Sequence, residues 1–120
     1  MNLIEISQQL LRDSKSSSDI SLLLKKLEVI SLNQLQIELN NDAKRKAFWI
    51  NIYNAFAIIY LKPNPSVILH PFKRKRFFNA KKIQLSECVF SLNDIEHQIL
   101  RKSKIWWSKG YLNKLFIKPC

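Results

Sequence analysis

The length and composition of this chain predict one small, mostly helical domain. Its 120 residues suffice for a single hydrophobic core, and a hydrophobic content of 47% argues against a disordered chain. Gly110 is the only glycine, which argues against phosphate-binding loops and turn-rich β-sandwiches, because these need glycine where the backbone has positive φ. The formal charge of +11 is enough to attract nucleic acid, anionic lipid or an acidic partner. Because the basic residues are spread along the chain, a solvated basic surface is the simpler interpretation.

Residues 1–41 are predicted to form a helical lead-in. Apolar side chains recur at helical spacing in 3–12 and again in 20–30, and a polar, serine-rich run separates the two segments. Ser31 then follows as the expected N-cap of a third, short helix. The lead-in therefore has the pattern of helices that each bury one face.

The most distinctive feature is an almost wholly apolar run, AFWINIYNAFAIIYL, over residues 47–61. It predicts a central helix over 43–61, within a segment 42–62, and proline after Lys62 ends it. A helix that is apolar all round must be enclosed by other elements, whereas a membrane span needs about 20 apolar residues. We predict a buried core helix and no transmembrane segment, with the basic residues at 44–46 solvated.

Two amides interrupt this helix. Asn51 and Asn54 lie one turn apart and are expected to project to the same side. A buried amide left without partners costs roughly 1–3 kcal/mol. The two residues therefore form either a polar lock to neighbouring backbone or to Glu96, or the lining of a ligand pocket beside Trp49 and Tyr53.

Residues 63–80 are predicted to form a basic loop. It contains prolines and the densest basic run of the chain, which consists of Lys73, Arg74, Lys75 and Arg76 and is followed by two phenylalanines. Basic side chains beside aromatic rings can contact phosphates and stack on bases. The alternative is a solvated loop that the two phenylalanines anchor to the core.

A small hairpin and a helix are predicted next. Alternating polarity indicates a hairpin over 81–90, and Ser91 is the expected N-cap of a helix over 91–103. At 100° per residue, Glu96 falls within the apolar stripe of this helix. Because an ionised carboxylate is costly to bury alone, we expect Glu96 to approach Asn51 or Asn54 across the core.

The same helix carries a second candidate for chemistry. His97 has Asp94 three residues before it and Arg101 four after it, so a carboxylate could orient its ring for proton transfer. Charged pairs of this kind are also common on helix surfaces. No histidine pair has metal-ligand spacing, and we predict neither a metal nor a cofactor.

The final segment, 104–120, is an aromatic and basic tail. Its Trp106 and Trp107 would join the basic run in the anion-binding interpretation. Cys88 and Cys120 have no metal-ligand spacing and are expected to be reduced, and the N-terminus lacks the pattern of a secretory signal. The expected location is the cytoplasm.

Two motifs carry a resemblance to a known family. AFWINIYNA at 47–55 and FSLNDIEHQILR at 90–101 resemble the family catalogued as domain of unknown function 547, and the segment 106–116 is similar to its bacterial members. In that family a His-Phe-Ala-Leu strand and a cysteine-containing stretch follow, and nothing similar precedes Cys120. The resemblance thus implies a single domain over 1–120 that is the N-terminal part of a longer one.

The resemblance also implies a type of chemistry. The family's Asn, Glu, His and later Cys residues suggest a cysteine-hydrolase or transglutaminase-like site. There, His97 or Glu96 would serve as base or orienter for a thiolate that a later segment supplies. We therefore expect an α+β domain, mainly helical with one hairpin, without independent catalysis; the alternative is a basic module that binds nucleic acid or an anionic membrane.

Overall fold

A computed structural model describes residues 2–80, 83–86 and 88–96 of the chain. Within these ranges the prediction of a mainly helical α+β domain with one antiparallel hairpin is confirmed. The α-helices are α1 (Leu3–Ser16), α2 (Ser21–Glu28), α3 (Leu32–Glu38), α4 (Asp42–Leu61), α5 (Pro71–Asn79) and α6 (Leu92–Ile95). A 3₁₀ helix covers Pro65–Leu69, and the strands are β1 (Ile83–Leu85) and β2 (Cys88–Phe90).

Helix α1 continues through most of the serine-rich run that was expected to be a loop. The hydroxyl of Ser14 is buried and donates to the carbonyl oxygen of Leu11 at 2.8 Å, which satisfies the polar group inside the helix. The helix ends only where Ser17 takes up a left-handed conformation with φ of 61°. Helix α3 begins, as predicted, at the N-cap Ser31.

Helix α4 is the central element of the structure and packs mainly against α1. It occupies the position predicted for the core helix and buries Phe48, Trp49 and Ile52. Its surface is not uniformly enclosed, because Ile50 is 42% exposed and Asn54 is also exposed. Among the described residues, no helix has the length and apolar character needed to cross a bilayer.

The first turn of α4 departs from the prediction that its three basic residues are solvated. Lys44 is exposed, but Arg45 is buried and its Nε donates to the carbonyl oxygen of Leu39 at 2.9 Å. Burial lowers the pKa of Arg45, and the nearby carboxylate of Asp42 acts in the opposite direction. The guanidinium thus closes the C-terminal end of α3 against α4.

The hairpin packs on α4 through aromatic rings. Trp49 lies edge-to-face with Phe48 at a centroid distance of 5.2 Å and with Phe90 of β2 at 5.9 Å. Strands β1 and β2 pair in antiparallel register with Ile83 opposite Phe90, and both of these side chains are buried. One face of the two-stranded sheet therefore belongs to the core.

The turn of the hairpin is attached to the lead-in helices. Ser86 has a φ of 59° and its backbone N–H donates to the carbonyl oxygen of Leu27 in α2 at 2.9 Å. Cys88 on β2 is buried and disulfide-bonded, so the expectation of a reduced thiol at this position is wrong.

The segment 63–80 was predicted to be a loop, and this prediction is wrong. The 3₁₀ helix begins at Pro65 and α5 begins at Pro71. The fixed φ of proline and its missing N–H suit the first turn of a helix, where the N–H would have no partner in the helix. The prolines here start helices, and the four basic residues consequently lie on α5.

Helix α6 begins as the sequence predicted. The Ser91 hydroxyl accepts from the Asp94 N–H at 3.0 Å, while the Asp94 carboxylate accepts from the Ser91 N–H at 2.9 Å. This reciprocal capping box satisfies two donors at the helix start. The rest of the helix predicted over 91–103, and the tail over 104–120, lie outside the described residues.

Candidate functional site

The two asparagines of α4 have different surroundings. Asn51 is half-buried and its Nδ2 donates to the hydroxyl of Ser7 on α1 at 3.2 Å. Asn54 is exposed. Asn51 therefore makes a polar contact between α4 and α1, but its partner is a serine hydroxyl and not the neighbouring backbone or Glu96, which the sequence had suggested.

Glu96 has a different partner from the one expected. Its carboxylate is half-buried and accepts a hydrogen bond from the hydroxyl of Tyr53 at 3.3 Å. Among the described residues neither Asn51 nor Asn54 hydrogen-bonds Glu96, although the sequence had led us to expect one of these contacts. At 100° per residue Asn51 lies about 200° around the helix from Tyr53, and Asn54, about 100° away, is exposed. The face of α4 directed at α6 is the one that carries Tyr53.

The other members of the predicted polar set have mostly structural positions. Trp49 is fully buried in the aromatic core, and the carboxylate of Asp94 is part of the capping box. His97, Trp106 and Trp107 lie outside the described residues. In the part of the chain that the structure describes, no cluster of three or more His, Cys, Asp or Glu residues suits a metal ion.

The basic run forms a surface on and beside α5. We use the name α5 basic surface for the four cationic side chains Lys73, Arg74, Lys75 and Arg76, together with Leu69 and Phe72. All four cationic side chains are exposed, and among the described residues none has a hydrogen-bond or ion-pair partner. Leu69 is 77% exposed and Phe72 is 85% exposed. The surface therefore combines positive charge that has no ion-pair partner in the described ranges with two exposed apolar side chains.

Two phenylalanines hold α5 against the core. Phe77 and Phe78 are partly buried and pack against the core cluster, as the anchored-loop alternative expected for these two residues. Phe77 also lies edge-to-face with Tyr60 of α4 at a centroid distance of 6.4 Å. This contact fixes the orientation of the α5 basic surface relative to α4.

The positive charge around the α5 basic surface is evident in the sequence. Between Asp42 and Glu87 there is no acidic residue, while ten Lys or Arg residues occur in the same interval. The long stretch without acidic residues indicates a basic surface in this part of the chain, which the total charge alone does not locate. Leu69 and Phe72 were also missed, because apolar residues beside prolines did not indicate exposure.

The described fold and surface define a small helical domain with a two-stranded antiparallel sheet and a basic, partly apolar helical face. The chain belongs to the family described as protein of unknown function, DUF547, whose model matches residues 36–118. Helices α1 and α2 precede the matched region. No curated protein and no solved structure matches the chain.

Proposed function

We propose that this chain is a peripheral binding module that contacts anionic membranes through the α5 basic surface. The observation that carries the proposal is the exposure of Leu69 and Phe72 beside four cationic side chains that have no ion-pair partner within the described part of the chain. Basic residues next to exposed aliphatic and aromatic side chains are typical of elements that lie in the membrane interface.

Expected magnitudes support such contact. A Lys or Arg near an anionic bilayer contributes about 1 kcal/mol, and burial of a Phe or Leu side chain contributes about 1.5–3 kcal/mol. Four cations and two apolar side chains together are enough for measurable binding after the costs of association. The electrostatic part should weaken as salt rises, because ions screen exposed charges.

Nucleic acid is the other anionic partner, and Leu69 favours the membrane over it. Phe72 could stack on a base, but an aliphatic side chain has no equivalent stacking partner in nucleic acid. A bilayer accepts both side chains in its interface. The exposed Leu69 is thus better explained by lipid than by bases.

The double substitution Arg74→Gln/Lys75→Gln is expected to weaken binding to vesicles of phosphatidylcholine and phosphatidylserine by roughly 30-fold. This figure follows from the loss of two charges at about 1 kcal/mol each. The measurement is vesicle co-sedimentation at fixed salt. The matched control is Lys25→Gln/Lys26→Gln, which removes two exposed charges from α2 and should leave most of the binding intact.

Three outcomes would count against the membrane proposal. The first is equal binding to vesicles of phosphatidylcholine alone, and the second is an equal loss in both double variants. The third is retention on RNA or DNA at moderate salt without vesicle binding, which would assign the same surface to nucleic acid.

A second candidate function is the cysteine-hydrolase or transglutaminase-like chemistry that the family resemblance suggests. The observation that favours it is the hydrogen bond from Tyr53 to Glu96, because it orients a half-buried carboxylate next in sequence to His97. Cys88 does not suit the role of nucleophile, since its sulfur is buried and disulfide-bonded. In this proposal another cysteine supplies the thiolate and this chain has no independent catalysis.

A test of this chemistry uses a longer family member that carries further cysteines. We expect a thiol-reactive probe to label one activated cysteine, and replacement of the residue matching His97 by alanine to slow that labelling roughly tenfold, because the thiolate loses its stabilising partner. Uniform, slow labelling of every cysteine would remove the proposal. A matched substitution at the position of exposed Lys44, which belongs to none of the candidate polar residues, serves as the control.

We propose the cytoplasm as the location of the protein. The cytoplasmic leaflet is rich in anionic lipid, which suits the α5 basic surface. The disulfide at Cys88 instead favours an oxidising compartment. Denaturation of cells directly in an alkylating reagent distinguishes the two locations, since a reduced Cys88 is alkylated and a disulfide-bonded Cys88 is not.

A further inference from the structure

A cavity of about 550 Å³ lies between the end of α4 and the helical segment 65–79. Ile59 and Tyr60 contribute to it from α4, and Val67 contributes from the 3₁₀ helix. This volume falls within the range of about 300–1,000 Å³ that small-molecule sites occupy. The cavity therefore has the size of a ligand site.

The wall of the cavity is aromatic and held in place by ring contacts. Tyr60 lies edge-to-face with Phe77 and packs at a centroid distance of 5.8 Å from Phe56. Burial raises the pKa of the Tyr60 hydroxyl. The aliphatic side chains of Ile59 and Val67 extend this wall, which suits an apolar tail.

Two cations complete the cavity. Lys73 and Arg76 line it and are also exposed to solvent, and no Asp or Glu is among its lining residues. Lys73, Arg76 and Phe77 share one face of α5 because three- and four-residue spacings bring side chains together on a helix. Arg74 and Lys75 do not line the cavity, so the charges of the cavity can be changed separately from the rest of the α5 basic surface.

We propose that this cavity binds a single-chain anionic amphiphile. The aliphatic tail would lie against Ile59, Val67 and Phe77, and a carboxylate or phosphate head would lie between Lys73 and Arg76. Charge complementarity selects an anion, and the apolar wall selects a ligand with a tail over a free anion. The inference goes beyond membrane contact, because it concerns a soluble ligand and requires no bilayer.

Decanoate, decyl phosphate, decanol and inorganic phosphate are the probes, each titrated calorimetrically into the full chain below its micelle or solubility limit. We expect decanoate and decyl phosphate to bind, decanol to bind about tenfold more weakly, and phosphate alone to give no measurable heat. The two anionic probes distinguish a carboxylate head from a phosphate head. Equal affinity for decanol and decanoate, or stronger binding of phosphate alone, would overturn the proposal.

Variants separate this site from the membrane surface. Val67→Trp fills the cavity and should abolish decanoate binding while vesicle binding persists. Lys73→Gln/Arg76→Gln, at exposed positions that should not disturb folding, should weaken decanoate binding about tenfold. The control Arg74→Gln/Lys75→Gln should bind decanoate like the parent chain and bind vesicles roughly 30-fold more weakly.

The variants show separately whether the cavity proposal or the membrane proposal fails. Unchanged decanoate affinity in Lys73→Gln/Arg76→Gln would overturn the cavity site, whether or not Val67→Trp folds. If decanoate affinity were unchanged in that variant but vesicle binding were weaker in Arg74→Gln/Lys75→Gln, the cavity proposal would fail and the membrane proposal would stand. Circular dichroism of each variant checks that the helices remain.

Discussion

Replacement of Trp49 by alanine is expected to lower the free energy of unfolding by about 3–5 kcal/mol. Trp49 is fully buried and its ring contacts both Phe48 in α4 and Phe90 in β2. The substitution would open a cavity where the hairpin packs on the central helix. Because small domains are stable by only about 5–15 kcal/mol, much of the folded population could be lost.

Urea denaturation followed by far-ultraviolet circular dichroism measures this effect. The matched control is Ile50→Ala, the next residue of α4, whose side chain is 42% exposed. That control should cost less than about 1–2 kcal/mol, since an exposed side chain leaves little cavity. If both variants lost the same stability, Trp49 would not hold the hairpin to α4 in the way described.

Replacement of Arg45 by methionine is expected to cost about 1.5–3 kcal/mol of stability, the usual range for a hydrogen bond to a charged group. Methionine keeps an apolar stem of similar length but leaves the Leu39 carbonyl without its donor. Asp42 would also lose the attraction of the nearby guanidinium. The contact between the end of α3 and the start of α4 should therefore loosen.

Lys44→Met is the matched control for Arg45→Met. Lys44 is an exposed neighbour in the same turn, and its loss should change stability by less than about 0.5 kcal/mol. Chemical denaturation of both variants under the same conditions gives the comparison. Equal midpoints for Arg45→Met and the parent chain would mean that the buried guanidinium contributes nothing net to the fold.

Stability and the candidate sites are connected through α4. This helix carries Tyr53, which hydrogen-bonds Glu96, and Tyr60, which forms the wall of the cavity beside α5. Tyr53 and Tyr60 are seven residues apart, so the two sites lie about two turns from each other on one helix. A change in binding in a Trp49 variant can be attributed to one of these sites only after its stability to unfolding has been measured.

The sequence by itself determined the features that depend on neighbours within about one turn of the chain. The apolar run predicted α4, alternating polarity predicted the hairpin, and Ser91 with Asp94 predicted the start of α6. Each is specified by local backbone preference or by a local hydrogen bond. These predictions were confirmed for that reason.

Only the tertiary structure decided which face of each helix meets which neighbour. Rotation of α4 about its axis directs Tyr53 toward Glu96 and leaves Asn54 exposed, and the end of α3 supplies the acceptor that buries Arg45. Proline is compatible with both a loop and a helix start, so only the fold showed that the basic run lies on a helix with Leu69 and Phe72 exposed beside it. These outcomes depend on contacts between residues far apart in the chain, which local spacing does not specify.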